Sequence, residues 1–253
     1  MLFLTIFGIL FAFLMTVTGS SLVFLFKKPI GDKLNTFFYG ISAGVMFGAT
    51  IFSLIIPSMN ASESYGALKF VPTVIGIVFG AFFIVFLDFF VQKTKKNSCG
   101  LNRNMKIFLA VTIHNIPEGL AIGFAFGVAL NSADFVLCYS ALSLAIGIGI
   151  QNFPEGSAIS LPLKKELGSG SKAFLFGLYS ALVEPIASVL GIFLAYSLSC
   201  VYGYILAFSA GAMIYVIIEE ILPEANLKGY EKIRTWSFIL GFLLMMILDT
   251  SLV

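Results

Sequence analysis

The sequence predicts an all-α polytopic membrane protein folded as a single transmembrane domain over residues 1–253. Composition is the first reason. The chain is 59% hydrophobic and 11% charged, whereas a soluble domain carries about 25% charged residues. A soluble fold of this length would have too little polar surface to stay dispersed, and the mean hydropathy of +1.01 agrees. The second reason is that the apolar residues come in continuous runs of membrane-spanning length, without the alternation of a β-barrel. The third is the placement of charge: the basic residues fall in every second connection.

Eight apolar runs are expected to cross the bilayer, at 2–26, 36–57, 68–91, 107–130, 137–163, 173–197, 201–222 and 235–252. The first begins Met1-Leu2-Phe3-Leu4 with no basic residue before it, so it reads as a retained span and not a cleaved leader. Lys27, Lys28 and Lys33 follow run 1; Lys93, Lys95, Lys96, Arg103 and Lys106 follow run 3. Lys164, Lys165 and Lys172 follow run 5, and Lys228, Lys232 and Arg234 follow run 7. Of the 15 Lys and Arg, Lys69 alone falls on the other side. The asymmetry predicts odd-numbered loops in the cytoplasm and both termini outside. Asp88 lies near the basic third loop and is expected at the interface, as are Tyr230 and Trp236 beside run 8. Cys99, Cys138 and Cys200 form neither a disulfide framework nor a metal-type spacing. Nothing in the charge pattern calls for a nucleic-acid partner.

Runs 2 and 7 share a pattern. Ser42-Ala43-Gly44-Val45-Met46 precedes Pro57, and Ser209-Ala210-Gly211-Ala212-Met213 precedes Pro223. The two runs would cross in opposite directions, which predicts an inverted repeat of the kind transporters use to alternate access.

Runs 4, 5 and 6 hold the costly residues. Run 4 contains His114-Asn115-Ile116-Pro117-Glu118-Gly119, and run 5 repeats the theme as Gln151-Asn152-Phe153-Pro154-Glu155-Gly156. Glu184 of run 6 falls at the same depth, near the midplane. Ionisable side chains at that depth are expensive and mark function. Residues three and four apart share a helix face, so each segment aligns three ligand-type groups. Pro117 and Pro154 each remove one helical hydrogen bond and are expected to bend the helices there. Three carboxylates with no lysine or arginine at their level require protons or a cation. One imidazole with carboxylate and amide oxygens suits Zn²⁺, Fe²⁺ or Mn²⁺, and such an oxygen-rich site also admits Cd²⁺. Two ions bridged by Glu118 and Glu155 would fit the ligand count.

Other polar or soft residues are candidates of a second rank. Met46 reads as a packing residue or as a thioether near the metal. Glu219 and Glu220 read as the lining of an ion exit or as interfacial carboxylates. Ser53 and Asp249 are candidates for an outer entrance.

These motifs resemble the ZIP (Zrt-, Irt-like protein) family of divalent metal transporters. The resemblance rests on the segments starting at His114 and Gln151, on Val183-Glu184-Pro185, and on Glu219-Glu220 followed by Pro223-Glu224. It implies a 3+2+3 helix arrangement, with spans 1–3 and 6–8 related by pseudo-two-fold symmetry, and a binuclear metal centre on spans 4 and 5. Carried onto this sequence, the metal positions are His114, Asn115, Glu118, Gln151, Asn152, Glu155 and Glu184, with Met46 approaching from span 2. Many members have His at the position of Gln151, and some bacterial members have Asp at that of Asn152. The chain is most similar to the prokaryotic-type branch with Gln in span 5. Fewer strong ligands should broaden metal selectivity. The loop 92–106 lacks the His-rich run common in eukaryotic members.

The expectation is therefore a transporter in the cell membrane, not an enzyme and without a catalytic cofactor. Its partners are divalent metal ions and the lipid bilayer, and a homodimer is compatible with it. Two rivals stand beside it, a cation-coupled transporter of an organic solute and an intramembrane metal-dependent hydrolase. The hydrolase lacks the second and third imidazoles of catalytic zinc sites and has no His-Glu-x-x-His motif.

Overall fold

The computed structural model describes residues 1–25, 31–96, 103–197, 201–226 and 228–252. Among these residues the structure is helical throughout, with no strand. In chain order the helices are α1 (Leu2–Leu25), α2 (Asp32–Ala49), α3 (Ile56–Asn60), α4 (Phe70–Lys96) and α5 (Arg103–Ser132). They continue as α6 (Phe135–Leu167), α7 (Gly170–Ser197), α8 (Tyr202–Val216), α9 (Leu222–Ala225) and α10 (Glu231–Leu252). Helices outlast the apolar runs because a helix continues into the polar interface, where its end groups meet water. Among the described residues seven stretches are long and apolar enough to cross a membrane: α1, α2 through α3, α4, α6, α7, α8 through α9, and α10. The chain is an integral membrane protein by that count. Cys99 and Cys200 lie outside the described residues; Cys138 is buried with a free thiol.

Local signals set several ends. Asp134 Oδ1 accepts the backbone N–H groups of Val136 and Leu137 at 2.7 and 3.4 Å, capping α6. Gly168 ends the same helix at φ 62°, a left-handed conformation that glycine adopts without penalty.

Pro117 and Pro154, where bends are expected, lie inside α5 and α6, each of which runs as one helix through its proline. The backbone departs from α-geometry in two π-helical segments, Thr50–Ile55 after α2 and Ile217–Ile221 after α8. Each lies just before a proline, Pro57 or Pro223. A proline has no N–H to give its i−4 carbonyl, and a wider turn is one way the backbone absorbs that loss. The segments start at equivalent places, Thr50 and Ile217 each standing six residues after the glycines Gly44 and Gly211.

Four close helix pairs dominate: α1 with α6, α5 with α7, α2 with α10, and α4 with α8. All four are parallel. Gly119, Gly123 and Gly127 of α5 meet Glu184, Ser188 and Ile192 of α7 in ascending order. Gly8 of α1 meets Ala145 of α6, and Gly156 of α6 meets Thr16 and Ser20 of α1. Gly40, Gly44 and Gly48 of α2 track Ser237, Phe238 and Met245 of α10, and Gly76 and Gly80 of α4 track Ala207 and Phe208 of α8. A Cβ at Gly44 would overlap the Phe238 carbonyl, and one at Gly211 the Ile77 carbonyl. Small residues permit this contact where lipid supplies no hydrophobic drive between helices. The central helices are α5 and α6. Phe124, Phe126, Ile122, Leu144 and Ile148 on them are fully buried.

Candidate metal centre

The polar residues of α5, α6 and α7 meet inside this core. Asn115 and Glu118 project from α5, Gln151, Asn152 and Glu155 from α6, and Glu184 from α7. None is more than 4% exposed. The glycine of each Pro-Glu-Gly segment explains how the helices come close at this level. Gly119 lies against the carbonyl of Glu184 on α7, and Gly156 lies against the carbonyl of Thr16 on α1. Each glycine presses the helix carrying its neighbouring glutamate onto a parallel partner.

Amide groups from one helix hold carboxylates of another. Gln151 Nε2 donates to Glu118 Oε1 at 2.5 Å, joining α6 to α5. Asn152 Nδ2 donates to Glu184 Oε2 at 3.0 Å, joining α6 to α7. Asn115 Nδ2 donates to the Ser180 carbonyl at 2.9 Å and to Ser180 Oγ at 3.4 Å. Thr112 Oγ1 donates to the same Ser180 hydroxyl at 3.2 Å. Ser42 of α2 donates to the Gln151 carbonyl at 3.4 Å, reaching the cluster from a fourth helix. Glu155 lies near enough to both Glu118 and Glu184 for their charges to repel.

Once these donors are spent, acceptors remain. Among the described residues Asn115 Oδ1, Glu118 Oε2, Gln151 Oε1, Asn152 Oδ1 and Glu184 Oε1 are buried without a hydrogen-bond donor. Buried polar atoms in native proteins are almost always paired. Five unpaired oxygens on three helices, beside mutually repelling carboxylates, form an environment that stabilises positive charge. Such a set suits a hard or borderline cation. Among the described residues no three His, Cys, Asp or Glu side chains close into one metal-holding group. The buried oxygens without donors thus include three amide oxygens beside the two carboxylate oxygens. His114 belongs to α5, directly before Asn115, but its side chain lies outside the described residues.

Sequence comparison decides the family. The ZIP Zinc transporter family model matches residues 99–249. The chain is 32% identical to "Zinc transporter ZIP11" of Homo sapiens, over 99% of this chain and 97% of that protein. It is 33% identical to "Zinc transporter GufA" of Myxococcus xanthus, over 94% of this chain and 95% of the relative. It is 30% identical to "Zinc transporter ZIPB" of Bordetella bronchiseptica, over 95% of this chain and 78% of that protein.

The chain belongs to the ZIP family.

The remaining candidate positions of this ZIP chain lie on or just after α2 and α8, and on α10. Met46 is 1% exposed within the apolar core of α2, alongside Ile122, Ile148 and Met213. Glu219 and Glu220 occupy the π-segment after α8, Glu219 exposed and Glu220 half-buried. Ser53 and Asp249 are brought together. Ser53 Oγ donates to Asp249 Oδ1 at 2.8 Å, and Ser143 Oγ reaches the same oxygen at 3.4 Å. Both Ser53 and Asp249 line a cavity of about 520 Å³, with Asn60, Tyr65, Ser140 and Tyr202. Asp88 stands on α4 with its side chain outside the described residues.

The hydroxyls of Ser180 and Ser143 are absent from the sequence reading. Ser180 precedes Glu184 by four residues and shares its face, a spacing that could have pointed to it. Ser143 carries no such signal, since helical serines commonly bond their own backbone.

Proposed function

We propose that this ZIP protein carries Zn²⁺, and with less discrimination Fe²⁺, Mn²⁺ or Cd²⁺, across the membrane into the cytoplasm. The observation that carries this reading is the set of five buried, donorless oxygens on α5, α6 and α7, in a family whose relatives are named zinc transporters. The ion is the substrate. It is held by Asn115, Glu118, Gln151, Asn152, Glu155 and Glu184, with His114 as the one imidazole and Met46 as a thioether nearby. Two ions bridged by Glu118 and Glu155 is the arrangement we favour.

Eight spans fit the pairing of helices better than seven. In a chain that crosses at every helix, two spans are parallel when both are odd-numbered or both even-numbered. With α5 counted as a crossing, α1 and α6 are spans 1 and 5, and α5 and α7 are spans 4 and 6. Likewise α2 and α10 become spans 2 and 8, and α4 and α8 spans 3 and 7. All four parallel pairs then agree. Without α5 as a span, α1 and α6 would be antiparallel. The pairs also exchange under the proposed inverted repeat. Spans 1 and 5 become 6 and 4, and spans 2 and 8 become 7 and 3. Matching π-segments in α2 and α8 support the same 3+2+3 symmetry.

In this reading both termini lie outside the cell membrane. The ion enters through the cavity beside Ser53 and Asp249, loses water among the carboxylates, and leaves past Glu219 and Glu220. The helices bearing the site shift against the others to expose each side in turn. Once the ion leaves, the carboxylates and His114 accept protons, since charge left unpaired in the core is costly. We place the chain in the branch with Gln at position 151, where a neutral amide replaces an imidazole and relaxes selectivity. With a single histidine in the chain, a hydrolytic zinc site of two or three imidazoles cannot be built.

Uptake of radiolabelled Zn²⁺ by proteoliposomes, beside Glu155→Ala, tests the proposal. Wild-type uptake that the variant loses would support transport through this centre. Equal uptake by both would refute the site, and no uptake under any gradient would refute transport.

A further inference from the structure

A groove on the lipid-facing surface, remote from the metal centre, has a composition suited to one kind of ligand. It lies between the first turns of α2 and α10, has a volume of about 670 Å³, and is lined by Leu34, Phe37, Trp236 and Leu240. Its polar lining is slight and includes Lys33 of α2 and Lys232 of α10. The two helices run parallel, Gly40 resting against Arg234 and Ser237, so both lysines stand at the same end of the groove. That end belongs to the side of the molecule that carries the basic loops.

The charges around the mouth favour an anion. Lys33 and Lys232 are exposed. The adjacent acids are Asp32 and Glu231. Glu231 Oε1 accepts the backbone N–H of Gly229 at 3.0 Å. Arg234 donates to Asn226 Oδ1. Here two ammonium groups on different helices flank one apolar furrow. Juxtamembrane lysines attract anionic headgroups, and basic pockets between transmembrane helices hold them.

We propose that this groove binds one anionic phospholipid of the cytoplasmic leaflet. An acyl chain lies along Leu34, Phe37 and Leu240, and the headgroup phosphate sits between Lys33 and Lys232. A lipid so placed bridges α2 to α10.

The chain's single tryptophan makes the test direct. Trp236 lines the groove and is 69% exposed. Full-length protein is reconstituted in phosphatidylcholine containing, as a minor component, phosphatidylglycerol brominated on its acyl chains. Quenching of Trp236 fluorescence then reports lipid in the groove, with brominated phosphatidylcholine at the same fraction as reference. The expected result is local enrichment of phosphatidylglycerol roughly thirtyfold over its bulk fraction, from two lysines each attracting an anionic headgroup. Lys33→Gln with Lys232→Gln should return quenching to the phosphatidylcholine level, while Lys172→Gln at a different loop leaves the preference intact. Equal quenching by the two lipids in the wild type would overturn the proposal. So would a preference that survives the double substitution, or an absence of quenching by either lipid, which would mean protein covers the groove. The readout does not involve transport, so it stands or falls independently of the metal proposal.

Discussion

Two polar regions of this molecule handle charge in opposite ways. In the core, Glu118 and Glu184 each have one oxygen held by an amide and the other without a donor among the described residues. Near the ends of the helices, Asp249 has one oxygen serving two hydroxyls, from Ser53 and Ser143, and it borders a cavity. The first region leaves negative potential unspent where water is excluded. The second stabilises a carboxylate that solvent can reach. The difference teaches that buried acceptors without donors favour holding a cation, which is the role proposed for the core. A satisfied acid beside open space suits an ion in passage.

The contrast can be broken at its strongest point. Glu118→Ala together with Glu155→Ala should lower Zn²⁺ uptake by about 100-fold or more, a loss of about 2.7 kcal/mol or greater in binding. Proteoliposome flux checks this, and flux near the wild-type value would remove the core region's special status. Next in size is Asn115→Ala. It removes one of the five buried oxygens that have no donor and should weaken metal binding roughly tenfold, about 1.4 kcal/mol. Isothermal titration with Zn²⁺ would show it, and helix content by circular dichroism should not change.

Asp249→Asn probes the outer region. The amide keeps an oxygen for Ser53 and Ser143 but removes the charge. Attraction of about 1 kcal/mol in a watery setting predicts a KM for Zn²⁺ raised about fivefold with kcat unchanged. A fall in kcat would make this acid part of the binding centre and erase the distinction. The smallest effect belongs to Ser143→Ala. Its contact with Asp249 is long, and a bond of that geometry contributes little, so uptake should stay within about twofold of wild type. A drop comparable with that of Asp249→Asn would show that the two hydroxyls act as a unit.

A further prediction compares a packed glycine with an open one. Gly123→Leu would drive a side chain into the Ser188 carbonyl and should lower thermal stability by several kcal/mol, consistent with overpacking. Gly31→Ala, with nothing near its Cβ, should leave it unchanged within about 0.5 kcal/mol. Melting of the detergent-solubilised protein would separate them.

By itself the sequence determined that the chain lives in a membrane as helices, because hydropathy and run length are local properties that no packing can reverse. It also determined the chemistry of the core. The paired Asn and Pro-Glu-Gly segments and Glu184 are written in the residues, and their cost in lipid singles them out. Tertiary structure decided the rest. That Gln151 serves Glu118 while Asn152 serves Glu184 depends on the rotation and depth of three helices, which no single helix encodes. The glycines of the two motifs could be read as small, but their partners, the carbonyls of Glu184 and Thr16, belong to other helices. Pro117 and Pro154 lie within continuous helices, while the π-helical turns fall at Thr50–Ile55 and Ile217–Ile221, ahead of Pro57 and Pro223. A missing hydrogen bond is a property of the sequence; where the chain gives way is set by the packing around it.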